Sequence, residues 1–205
     1  MQIKKTILPP VSTNCYLLEV EGSAIIIDPG YTSFSTVHPY IQEKSLRLKS
    51  IFLTHSHWDH IADLSQWIEK YQVPFFVHPF DAANVEFPGQ DGILCPLDIP
   101  GVKPSLFFQD DALQAVLSSS MRVIHTPGHS AGSVCLYFPE EKMLFSGDTL
   151  FKGTIGNTSF PGSDRQKMTQ SLKRLATLPK ETKVYPGHGP TTFLGEEFWI
   201  QKFQK

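Results

Sequence analysis

Four short apolar runs in this 205-residue chain lead directly to residues that can hold a cation, and this pattern constrains the fold more than anything else in the sequence. Ser50-Ile51-Phe52-Leu53-Thr54 runs straight into His55-Ser56-His57-Trp58-Asp59-His60. Met121–Ile124 leads to Thr126-Pro127-Gly128-His129-Ser130, Met143–Phe145 to Ser146-Gly147-Asp148-Thr149, and Val184-Tyr185 to Pro186-Gly187-His188-Gly189. Short apolar runs of this kind fit buried strands. In the last three cases a glycine stands immediately before the candidate ligand, which lets backbone approach closely where a loop bends around an ion. The expected plan is strands with helices interspersed, and polar residues collected at strand ends.

The other segments fill out that plan. Cys15–Val20 and Ala24–Ile27 read as strands joined at Glu21-Gly22-Ser23, and Asp28-Pro29-Gly30 ends the second. Ile61, Leu64, Ile68 and Tyr71 recur at spacings of three and four, predicting one amphipathic helix with Asp59 near its N-cap. Pro74–Val77 reads as a strand, Asp81–Phe87 as a short helical segment, and the Pro- and Gly-containing stretch 88–105 as a surface loop. Leu113–Leu117 and Val134–Phe138 are further strands, Glu140-Glu141-Lys142 turns the chain before Met143, and Met168, Leu172, Leu175 and Leu178 mark one face of a helix over Arg165–Leu178. No repeat or low-complexity tract interrupts residues 1–205, which are expected to form a single domain.

Composition narrows the class. A hydrophobic share of 40% and an aromatic share of 12% supply a core and place the chain outside the disordered regime. The net charge of −2 and the absence of a Lys/Arg run argue against nucleic acid or an anionic membrane surface as partner. Cys15, Cys95 and Cys135 are far apart and lack Cys-x-x-Cys spacing, so they are expected as buried, free thiols that act as small hydrophobes. Neither a signal peptide nor an apolar run near the ~18 residues of a spanning helix is visible. A soluble, reduced, cytoplasmic protein is the expectation.

In an extended segment residues two apart point the same way, so His55 and His57 can offer imidazoles to one cation. Where the chain turns, Asp59 and His60 are redirected and can serve a neighbouring one. Imidazole and carboxylate suit zinc, iron or manganese, and the lack of nearby Cys argues against a closed structural zinc site. Of the 8 histidines, His38, His78 and His125 fall outside the pattern; His38 and His78 precede proline and read as loop residues, and His125 as a hydrogen-bonded strand end.

Together with His129, Asp148 and His188, in this order, His55-Ser56-His57-Trp58-Asp59-His60 resembles the metallo-β-lactamase superfamily, and more closely its short, single-domain glyoxalase II-like hydrolases. The likeness runs from Thr13-Asn14-Cys15-Tyr16 to Gly187-His188-Gly189-Pro190. It implies an α/β fold, a four-layer αββα sandwich with the site at the edge where strand ends meet. It also implies two divalent metal ions, zinc first and iron or manganese as alternatives. His55, His57 and His129 would bind the first, Asp59, His60 and His188 the second, and Asp148 would bridge them. Hydrolysis of a small-molecule thioester such as S-lactoylglutathione follows from the same likeness, with Asp59 as both ligand and proton acceptor. A mononuclear-iron persulfide dioxygenase and a lactone or β-lactam hydrolase are the alternatives. The sequence departs from the short relatives where they carry a basic residue and this chain has Asn157, and where they have Asp and it has Ser159; Lys152 and Arg165 are candidate substitutes for holding an anionic substrate, with simple solvated surface residues as the alternative. Only Pro190–Lys205 follow the last motif, so the helical domain by which full-length glyoxalase II enzymes hold glutathione is expected to be absent.

Overall fold

In the computed structural model, which describes residues 1–203, the apolar runs become strands of two six-stranded sheets. The first sheet contains β1 (Gln2–Leu8), β2 (Thr13–Val20), β3 (Ser23–Ile27), β4 (Arg47–Phe52), β5 (Phe75–Val77) and β6 (Leu106–Phe107) in that spatial order. The second contains β7 (Leu113–Val116), β8 (Ser119–His125), β9 (Val134–Phe138) and β10 (Met143–Gly147), while β11 (Leu150–Phe151) and β12 (Thr154–Ile155) pair as a separate ribbon. β13 (Lys183–Pro186) lies parallel to β10, and β14 (Thr192–Phe193) closes that edge. The helices are α1 (Ser33–Glu43), α2 (Trp58–Ile61), α3 (Leu64–Tyr71), α4 (Ala82–Glu86) and α5 (Arg165–Ala176).

Strand alternation builds the layers. In β2 and β3, Leu17, Ala24 and Ile26 face Val37 and Ile41 of α1 and Leu64 and Trp67 of α3. Tyr16, Leu18, Ile25 and Ile27 face the opposite way, onto Val123, Leu136 and Phe145 of the second sheet. The outer face of that sheet, with Ile124, Cys135 and Leu144, packs on Met168, Leu172 and Leu175 of α5. Both faces of the central strands are therefore buried, which is why they read as unbroken apolar runs. The order helix, sheet, sheet, helix is the expected αββα sandwich. None of the described helices is long and apolar enough to cross a membrane.

Two features tie the sheets together at one end. Asn14 at the start of β2 donates its backbone N–H to the Gly187 carbonyl at 2.7 Å and its side-chain amide to the Pro186 carbonyl at 2.8 Å. The Tyr16 hydroxyl donates to the same Pro186 oxygen at 2.6 Å. That end carries the C-termini of the parallel strands, where open α/β sheets collect ligands.

The structure departs from the sequence-based plan in four places. The helix expected around Ile61–Tyr71 is two, α2 and α3, broken at Ala62-Asp63, and Asp59 lies inside α2 while His57 holds the N-cap position. The break has a tertiary cause: the Asp63 N–H bonds the Pro29 carbonyl, and its carboxylate accepts the Phe34 N–H at 2.9 Å. His38 lies inside α1 rather than in a loop; its ring stacks on Phe34 and its Nδ1 bonds the Tyr71 hydroxyl at 2.8 Å. β1 and the two-residue strands β6, β11, β12 and β14 are additions. The three cysteines are free, and Cys15 and Cys135 are buried as expected, whereas Cys95, in the loop before β6, is only half-buried.

Candidate metal centre

β4 delivers His55 and His57, α2 delivers Asp59 and His60, and the turns after β8, β10 and β13 deliver His129, Asp148 and His188. All seven come together. The ligand atoms of His55, His57 and His129 lie within 4.8 Å of one another, as do those of Asp59, His60 and His188. A third such group, His55, His60 and Asp148, lies between the two. Asp148 Oδ2 is 3.3 Å from His129 Nε2 and 3.5 Å from His188 Nε2, so one carboxylate touches both triads. Gly187 makes this packing possible: a Cβ there would lie 2.1 Å from Asp148 Oδ1.

Hydrogen bonds on the far side of the rings fix their orientation. His60 Nδ1 donates to Asp28 Oδ2 at 3.0 Å, His129 Nδ1 to the Asn157 carbonyl at 2.8 Å, and His188 Nδ1 to the Val11 carbonyl at 3.2 Å. The Thr54 hydroxyl donates to Asp28 Oδ2 at 2.7 Å, so it accepts from His55 Nδ1 at 3.1 Å. Each of these four rings thereby turns its Nε2 lone pair inward, the arrangement that a partner on the outer nitrogen imposes on metal-ligating histidine. His55 Nε2, His129 Nε2 and Asp148 Oδ1 are buried with no hydrogen-bond partner, which would cost ~1–3 kcal/mol each unless something else satisfies them. A divalent cation does so, and the donor set fits one.

The electrostatics agree. Burial, with neighbouring imidazoles, holds His55 well below its ordinary range and pushes His57 down to about 3, so both stay neutral and able to donate a lone pair. Burial alone would lower His60 and His188, but the carboxylates of Asp59 and Asp148 overcome it and raise them to about 9 and about 10. Burial opposes ionisation of Asp59, yet His60 and hydrogen bonds from His188 and Thr13 hold its carboxyl below the usual range. The Thr13 hydroxyl donates to Asp59 Oδ2 at 2.6 Å. The site thus sets the Asp59 and Asp148 carboxylates among five imidazoles, of which those of His55 and His57 are held neutral by burial.

Two carboxylates that organise the site had no chemical signature in the sequence. Asp28, held at the positive φ of 54°, accepts the Thr54 N–H and hydroxyl and the His60 ring, linking the two triads from behind. Asp81 is buried and accepts the Ser56 N–H at 2.9 Å, the Ser130 hydroxyl at 2.8 Å and the Gly132 N–H at 2.6 Å. It therefore joins the turn bearing His55 and His57 to the turn bearing His129. Lys152 and Arg165, the candidate substitutes for holding an anion, are exposed and line neither cavity beside the metal centre. The remaining histidines are structural, as expected: His78 and His125 stack at 4.0 Å, and His125 Nε2 donates to the Ala131 carbonyl.

Residues 8–188 match the family model of the metallo-beta-lactamase superfamily, and the chain belongs to that family. It is 32% identical over 189 residues to a hydroxyacylglutathione hydrolase of Francisella philomiragia, spanning 92% of this chain and 68% of that one. Among solved structures, BLEG-1 B3 metallo-beta-lactamase superimposes with a TM-score of 0.91 at 31% identity, covering 100% of both chains. TTHA1623 in a di-iron-bound form superimposes with a TM-score of 0.82 at 36% identity, covering 95% of this chain and 96% of that one.

Proposed function

We propose that this metal-dependent hydrolase is a thioesterase of glyoxalase II type, cleaving S-lactoylglutathione or a related thioester. The observation that carries the proposal is the pairing of two ligand triads around Asp148. We assign His55, His57 and His129 to one divalent ion, Asp59, His60 and His188 to a second, and Asp148 to both. Zinc is the first candidate for the metal; the likeness to a di-iron-bound protein keeps iron in view.

Divalent cations held there would supply Lewis acidity toward the substrate carbonyl and hydroxide at neutral pH. The chain's own groups do the rest. Asp59, its Oδ2 steered by Thr13 and facing His188 Nε2 at 3.2 Å, is the group assigned to orient the attacking oxygen and take its proton. As the C–O bond forms and the C–S bond breaks, the leaving thiolate, with a reference pKa of ~8.5, needs no general acid. Neither buried cysteine competes as nucleophile: burial pushes the Cys135 thiol up to about 11 and Cys15 higher still. The relative named as a hydroxyacylglutathione hydrolase supports this choice of reaction.

β-Lactam hydrolysis is the second reading, favoured by the end-to-end superposition on BLEG-1. The test is release of free thiol from S-lactoylglutathione and from neutral acyl thioesters by metal-loaded protein, followed with a thiol-reactive dye. Thiol release that stops on chelation is expected. Nitrocefin hydrolysis without thiol release would transfer the assignment to β-lactams, and oxygen uptake with glutathione persulfide to a dioxygenase.

A further inference from the structure

Two cavities of about 290 Å³ each meet at His57. The one that faces Asp59, His129, Asp148 and His188 is walled by Val11, Trp58, Ile93, Phe151 and Phe160, with Asn157 the one polar residue on its lining outside the proposed ligands. The other runs beneath Phe80 past Asp81, Asn84 and Asp91. Among the described residues no Lys or Arg lines either. Lys5 lines neither cavity, and its Nζ donates to the Gly189 carbonyl at 2.7 Å.

The second cavity offers an anion nothing better. Its Asp81 is saturated by Ser56, Ser130 and Gly132, and the Asn84 amide is spent on the Ser56 carbonyl at 2.7 Å and on Asp91 at 3.0 Å. Away from the proposed metal ligands, an anion placed against either wall would give up hydration without gaining a cationic partner. An apolar group placed in the first cavity has the opposite balance, since it removes from water both its own surface and side chains that stand open there: Val11 is 47% exposed and Phe160 36%. A volume near 290 Å³ is at the lower end of the ~300–1,000 Å³ of small-molecule sites, so the occupant is small. The cavity opens on residues of both triads, which is where the part of a substrate adjoining the reacting carbonyl must lie.

We propose that the apolar cavity beside the metal centre holds the acyl half of the substrate, and that it selects thioesters whose acyl group is short, apolar and uncharged. This rests on the thioesterase reading and narrows it. Two thioesters of the same neutral thiol, N-acetylcysteamine, separate the possibilities: 4-methylpentanoyl, whose branched end matches a carboxylate in shape, and succinyl, which carries the charge. The metal-loaded enzyme is expected to favour the 4-methylpentanoyl ester by at least about tenfold in kcat/KM, the scale of discrimination a pocket wall of this kind provides. Ile93→Lys, which puts a cation on the wall and replaces no proposed metal ligand, is expected to shrink that ratio about tenfold, chiefly through the KM of the succinyl ester. Equal rates for the two esters, or a ratio that Ile93→Lys leaves unchanged, would overturn the selection while leaving thioester hydrolysis standing. Release of thiol from neither ester, and none from S-lactoylglutathione, would remove the thioesterase reading and the selection with it.

Discussion

Asp28 shows how much of this site depends on residues that would never touch a metal. One carboxylate receives Thr54 twice and His60 once, and through Thr54 it also sets His55. Loss of such a partner typically weakens metal affinity ~10–100-fold, so Asp28→Asn is expected to lower affinity on that scale in a competition titration with a chromophoric chelator. Unchanged affinity would contradict the role given to it. Gly187→Ala tests the packing instead: its Cβ would overlap Asp148 Oδ1, and binding of metal is expected to be lost in the same titration. A third residue, outside the site, reports on pH. Burial, aided by the stacked His125, pushes His78 down to about 4 from 6.5 in the unfolded chain. The unfolded chain then binds the proton more tightly, so stability present above about pH 6.5 is lost as pH falls toward 4. The urea midpoint of metal-free protein should drop between pH 7 and pH 5, and His78→Asn should flatten that drop; an identical slope in the variant would exclude His78 as the cause.

Single elements explain both what the sequence disclosed and what it hid. The strands and α5 were legible because burial on both faces makes an unbroken apolar run and burial on one helical face makes the spacing of Met168, Leu172 and Leu175. The ligand residues were legible because each follows such a run. The division between α2 and α3 was not, since Asp63 stops the helix by bonding Phe34, a residue of α1 that no local pattern connects to it. The work of Asp28 and Asp81 was hidden for the same reason: their partners lie 25 or more positions away in the chain. β1 escaped notice because an edge strand with Lys4 and Lys5 lacks the apolar run that marks its neighbours. At this scale α5 gives a clean control. Asp164 caps it, accepting the Gln166 and Lys167 N–H groups at 2.8 and 3.0 Å. Asp164→Ala should cost ~1 kcal/mol in a denaturant titration and leave metal affinity intact, separating fold stability from site integrity.

Across the whole molecule, two sheets that bury their shared face are joined at one end by Asn14 and Tyr16 on one side and Pro186 and Gly187 on the other, and the seven ligand-type residues stand at that junction. Metal held there would bind residues from both sheets at once, so it should stabilise the fold as well as complete the site. With free metal at 100 times its dissociation constant the gain is ~2.7 kcal/mol, which for a chain of this size is a rise in Tm of roughly 5–10 °C. Asp148→Ala, which removes the group touching both triads, should abolish most of that rise. A paired centre built from His55, His57, Asp59, His60, His129, Asp148 and His188 implies a definite metal content. Elemental mass spectrometry of protein purified without chelator should find close to two divalent ions per chain; a single ion, or none that survives gel filtration, would contradict it.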